Sequence, residues 1–198
     1  MEKNKKLEFV GIVVMILAAA LSRLIPHPYN FSPICAMALF GSAYLNNRYY
    51  CYIIPIASMW ISDLLLNNII YAAYFDHFIW FYDGAIVTYA AFLLISLLGR
   101  SILHNKIALL RLFCTSILSS VIFFLISNFG VWLFSSMLPY PHTFGGLISC
   151  YIAGIPFFRN TLLGDFFYTF LMFGVYELLI KSALNNLRLY KMPDHRHK

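Results

Sequence analysis

The stretch ILSSVIFFLIS, Ile117 to Ser127, decides the fold. It carries no charge, and its apolar residues do not alternate with polar ones as they would in the short segments of a membrane barrel. It lies inside a longer apolar block, from about Ile107 to Phe134. A helix needs about 20 such residues to cross a hydrocarbon core. The block is a membrane helix.

Working outward, the rest of the chain has the same character. Of 198 residues, 61% are hydrophobic and only 11% charged. Soluble domains carry about 25% charged residues, so a soluble fold of this composition would lack a wettable surface. Further apolar blocks run from about Leu7 to Leu24, Ser32 to Leu45, Tyr49 to Leu66 (with Pro55 inside), Gly84 to Leu98 and Leu162 to Ile180. The aromatic connection Asn67–Asp83 suits the membrane interface, where Trp and Tyr concentrate. MEKNKK before the first block resembles a secretory signal start, but no small-x-small cleavage site follows cleanly, so a retained first helix is expected. No internal repeat or second domain interrupts residues 1–190, and 191–198 reads as a short polar tail, despite His195 and His197.

HTFGGLISCYIAGIPFFRN, His142 to Asn160, is short for a span, and the charge rule decides its reading. With six spans both termini are cytoplasmic, and nearly all Lys and Arg fall inside, leaving Arg23 and Arg159 outside. A seventh span would expel the C-terminal basic cluster. The expected fold is therefore an all-α integral membrane protein with six transmembrane helices. A short re-entrant or interfacial segment, His142–Phe158, precedes the last helix.

The net charge of +6 belongs to helix ends, where it sets topology and meets anionic lipid, rather than to a nucleic-acid surface. Cys35, Cys51, Cys114 and Cys150 form no C-x-x-C pair and read as packing residues. Glu177 and Lys181 read as an i,i+4 surface pair.

This topology gathers the polar residues at the outer side. Arg23, His27, Tyr29 and Asn30 come from the first loop, Asp63 from the end of the third helix, and Trp80 from the aromatic connection. Asn128 and Trp132 lie near the top of the fifth helix, and His142, Arg159, Asn160 and Asp165 flank or open the last one. Arg23 can pair with Asp63 or Asp165, and Arg159 with Asp165, or these groups can snorkel to the interface. As a set they resemble a small-molecule pocket, apolar with a few convergent polar groups. Pro26, Pro28 and Pro33 make the first loop a stiff extended strap, and Leu138–His142 repeats the design. Irregular backbone at membrane depth is tolerated where it is buried in protein or lines a cavity.

The segments RLIPHPYNFSPICAMALFGSAYL, SMWISDLLL, ISNFGVWLF and CYIAGIPFFRNTLLGDFFY resemble an uncharacterised bacterial membrane family. That family is similar in turn to the substrate-binding S components of energy-coupling-factor (ECF) vitamin transporters. The resemblance covers about Leu7 to Ile180. It implies a six-helix protein of the bacterial cytoplasmic (inner) membrane that binds a vitamin-like molecule in an outer-half pocket closed by loops. Its partners would be a coupling subunit and two ATPases, met through small residues such as Ala18, Ala19 and Ser22; the small residues of the second helix serve equally. No nucleotide loop G-x-x-x-x-G-K-[ST] is present, so ATP use would fall to the partners. No enzyme activity, cofactor or metal is expected. The alternatives are a channel or scaffold and, further off, a membrane enzyme or metal-binding protein using the outer His and Asp residues. No H-E-x-x-H or G-x-S-x-G motif supports an enzyme.

Overall fold

A computed structural model describes residues 2–104, 107–134 and 140–182; the polar tail and the 1–190 boundary fall outside them. Six helices occur among these residues: α1 (Glu2–Ser22), α2 (Ile34–Tyr44), α3 (Tyr50–Leu65), α4 (Ala85–Leu103), α5 (Leu109–Phe134) and α6 (Phe144–Val175). α3 continues as a wider π turn over Leu66–Ile70, and α6 does the same over Tyr176–Lys181.

Four helical stretches are long and apolar enough to cross a membrane: Tyr50–Ile70, Ala85–Leu103, Leu109–Phe134 and Phe144–Lys181. Their outward faces carry exposed Ile, Leu and Phe, such as Ile61, Ile86, Leu97 and Phe167. A lipid environment accepts these faces without the penalty water imposes. The chain is a multi-pass membrane protein.

α2 is the centre of the bundle. It contacts α1, α3, α4, α5 and α6, and every residue from Ile34 to Ala43 is buried. Lipid gives helices no hydrophobic reason to associate, so close packing of small residues holds them together. The sequence ICAMALFGSAY meets that need. Gly99 of α4 lies so close to Ser42 and Leu39 that a side chain there would overlap both.

Two hydrogen bonds mark one end of the bundle. Tyr176 Oη donates to Glu8 Oε1 at 2.6 Å, and Tyr44 Oη donates to Glu177 Oε1 at 2.9 Å. The start of α1 and the end of α6 therefore lie together. The Glu177–Lys181 pair forms as expected, with Nζ 2.7 Å from Oε2.

The re-entrant reading of His142–Phe158 is corrected. This segment is the first half of α6, one continuous helix that with its π turn reaches Lys181. Thr143 caps it, its Oγ1 accepting from Gly146 N at 3.2 Å. The short apolar length and the charge rule suggest a separate segment, and Pro156 within it does not break the helix. The helix continues because Gly146, Cys150 and Gly154, one per turn, form a small buried stripe, Gly146 closing on Pro141 and the other two on Asn128 of α5.

The packing makes a direct prediction. Gly99→Leu should abolish the folded, monodisperse species in size-exclusion chromatography. Gly174→Ala, whose Cβ would meet nothing within 4 Å, should raise helix stability by about 0.5–1 kcal/mol in denaturant titration.

Candidate functional site

At the end of the bundle opposite Glu8, Arg23 follows directly on α1. Its Nη2 lies 2.6 Å from Asp63 Oδ1, with both side chains nearly buried. Its Nη1 donates to Ser62 Oγ and to the Met59 carbonyl. Tyr89 of α4 donates to Asp63 Oδ2 at 2.7 Å. One ion pair with its lone pairs satisfied thus ties α1, α3 and α4 together. Burying two charges is tolerable only with such complete hydrogen bonding. Of the pairings open to Arg23, the one with Asp63 forms.

Asp165 meets neither Arg23 nor Arg159. It is buried within the bundle, where Ser120 Oγ donates to its Oδ2 at 2.6 Å and Cys35 hydrogen-bonds to it. Arg159 is exposed on the flank of α6.

The strap between α1 and α2 lies along α6. Phe31 N donates to the Pro28 carbonyl at 3.0 Å, closing a turn. Within this turn Asn30 has φ of 62°, the left-handed region that Asn tolerates better than most residues. Asn160 Nδ2 donates to the Tyr29 carbonyl at 3.0 Å, and the Phe31 ring lies 5.8 Å from Phe167 and 5.9 Å from Tyr168. Gly164 makes the approach possible: a Cβ there would stand 2.9 Å from Ser32 N and 3.1 Å from Phe31 Cα. His27 and Tyr29 project outward and are exposed.

Beneath the strap is a cavity of about 60 Å³ lined by Asn30, Phe123, Phe124, Ser127, Asn128, Gly154, Phe157, Phe158 and Thr161. Asn30 and Asn128 are the two expected site residues it brings together. Asn128 Nδ2 donates to the Phe124 carbonyl at 2.8 Å. Pockets for drug-sized ligands run to about 300–1,000 Å³, so in this conformation the space holds a solute of a few atoms. Trp132 and His142 also meet, with rings 5.5 Å apart, but Trp132 Nε1 donates to the Pro141 carbonyl and so ties α5 to the residues just ahead of α6. Trp80, in the connection between α3 and α4, stacks on Trp60 of α3. That connection is fastened by Asn68, whose Oδ1 accepts from Ile79 N at 2.7 Å.

The small residues of α1 divide between faces. Ala18 is exposed, Ala19 is buried in the chain's own core, and Ser22 Oγ lies 3.1 Å from Tyr168 Oη. A larger cavity, about 470 Å³, lies at the Glu8 end between α1 and the α2–α3 turn; Phe9, Tyr44, Asn46 and Tyr50 are among its walls. Among the described residues no group of three His, Cys, Asp or Glu side chains could hold a metal ion.

Sequence reasoning missed a buried hydroxyl cluster. Thr115, Ser116, Ser119 and Ser120 of α5 and Thr169 of α6 are all buried. The available signal was their i, i+1, i+4, i+5 spacing inside an apolar run, which places them on one helix face.

Residues 3–187 match the model of a family of unknown function, DUF6580, and the chain belongs to that family. No curated protein and no solved structure matches it.

Arg23→Ala leaves Asp63 buried and unpaired and should cost about 3–5 kcal/mol in detergent unfolding titrations. The double variant R23Q/D63N keeps a neutral hydrogen-bonded pair and should recover most of that loss.

Proposed function

We propose that this DUF6580 chain is the solute-capturing component of a membrane transport system, of the type the S components of ECF transporters represent. In this reading the chain crosses the bacterial inner membrane six times, the eleven-residue α2 making its crossing together with the irregular strap ahead of it, both termini are cytoplasmic, and a vitamin-like solute enters at the strap end. The orientation draws support from the basic residues Lys5, Lys6, Arg48, Arg100, Arg111 and Lys181, which belong to the end where α1 starts and α6 finishes.

The observation that carries the reading is the strap over a small, mixed cavity. Residues 23–33 are irregular backbone laid across α6, and α2 behind them is only about half the length of a span. Short, proline-interrupted segments at membrane depth mark binding sites in carriers, because only there does the backbone need to be irregular. Between Arg23 and Phe31 the strap is held to α6 by one side-chain hydrogen bond, from Asn160 to the Tyr29 carbonyl. Lifting it joins the 60 Å³ cavity to the outside and enlarges it. The Phe walls would then stack on a ring, and the Asn30 and Asn128 amides would read its polar edge. Arg23 and Asp63 hold the frame around the site rather than the solute. The chain has no nucleotide loop of its own, so energy would come from a coupling subunit and ATPases, with Ala18 on the exposed face of α1 for contact.

The purified protein, screened by thermal shift against vitamins and related heterocycles, should be stabilised by one chemical class. Asn128→Leu should weaken that response about tenfold or more, and Gly164→Val, which displaces the strap, should weaken it without unfolding the bundle. Absence of any stabilising compound, together with no coupling subunit retained on mild purification, would sink the proposal.

A further inference from the structure

Asp165 poses a problem that the solute reading does not solve. It is 1% exposed, and no Lys, Arg or His is paired with it among the described residues. An ionisable group in such a place costs heavily unless something offsets its charge. Part of the offset is local. Asp165 lies beside Cys35 at the start of α2, where the amides are unused by the helix and the dipole supplies roughly half a positive charge. These contacts offset the charge only in part.

The hydroxyls beside it point the same way. Ser120 bonds to Asp165 across the antiparallel pair α5 and α6. One helical turn from that contact on each helix are Ser116 of α5 and Thr169 of α6, and Ser119 directly precedes Ser120. Ser116 Oγ, Ser119 Oγ and Thr169 Oγ1 are fully buried and have no hydrogen-bond partner among the described residues. Buried polar atoms are almost always satisfied, and three orphans within a helical turn of the Ser120–Asp165 contact call for a ligand. Hydroxyl and carboxylate oxygens are hard donors with free lone pairs, and one carboxylate among neutral hydroxyls matches a monovalent ion better than a divalent one. Water alone would satisfy the hydroxyls but leave the charge.

We propose that Asp165, Ser116, Ser119 and Thr169 form a binding site for a small monovalent cation, sodium, between α5 and α6 beside the start of α2. The site stands independently of the solute reading, because the ion neutralises Asp165 with or without a bound solute.

The full-length protein in detergent should melt at higher temperature in sodium chloride than in choline chloride of equal ionic strength. It should also bind radiolabelled sodium saturably in equilibrium dialysis. Asp165→Asn should remove both effects. Ser119→Ala and Thr169→Val, which keep the carboxylate, should shift the sodium midpoint about tenfold. Ser96→Ala, whose hydroxyl bonds to the Phe92 carbonyl elsewhere in the core, should leave the midpoint unchanged. Identical melting in sodium and choline would overturn the site. Melting that follows pH but not sodium would also overturn it, since the counter-charge would then be a proton. Undiminished sodium binding in S119A and T169V would place the ion elsewhere. None of these readouts depends on finding a transported solute.

Discussion

A helix of eleven residues wholly enclosed by other helices is the constraint the rest of the structure obeys. The first amides and last carbonyls of any helix lack partners within it, and inside a membrane bundle water cannot serve everywhere. α2 meets this need with charge. Asp165 of α6 stands beside its first turn, and Arg100 of α4 donates to the Leu45 carbonyl at 2.6 Å and the Asn46 carbonyl at 3.1 Å just past its last turn. The acid is at the positive end of the helix dipole and the base at the negative end, which is the stabilising arrangement. Because the two charges come from different helices, they also fix α4 and α6 relative to α2. Small residues along α2 then let those helices close in.

This logic separates two kinds of polar residue that look alike in sequence. Arg23, Asp63, Tyr89 and Ser62 satisfy one another, so they form a lock. Asp165 and the hydroxyls of α5 and α6 do not close their account in the same way; three donors are left over. Only the second group has unspent capacity for a ligand. Residual hydrogen-bonding capacity, rather than polarity, marks the chemically available part of the core.

The fold was legible wherever the signal was local. Long apolar runs without alternation located α3, α4 and α5, and the prolines at 26, 28 and 33 located the strap. The first half of α6 differed from expectation because its apolar run is short for a span and the charge count left no room for a seventh. Cys150 and Gly154 bind that half to α5, and this tertiary contact outweighs the local signals. The candidate site was legible only as a list. Sequence put Asn30, Asn128, Asp63 and Asp165 at one end, but their partners are set by helix rotation, which spacing alone does not give across different helices. The Ser and Thr residues passed unnoticed because in water-soluble helices such hydroxyls bond back to their own carbonyls, as Thr115 does to Arg111 at 2.7 Å. That Ser116, Ser119 and Thr169 do not becomes visible only in three dimensions.

The strap and the lock make opposite demands, and their placement reconciles them. A segment that opens toward solvent needs few contacts, and such segments belong to the low-stability end of a protein. Residues 25 to 30 are exposed accordingly. Yet this segment joins α1 to α2, so its motion would propagate into the centre of the bundle unless both ends were clamped. Arg23 clamps one end to α3, and Phe31 against Phe167 and Tyr168 steadies the other just before Pro33. In the proposed reading the strap would therefore lift between fixed points while α2 stays in place.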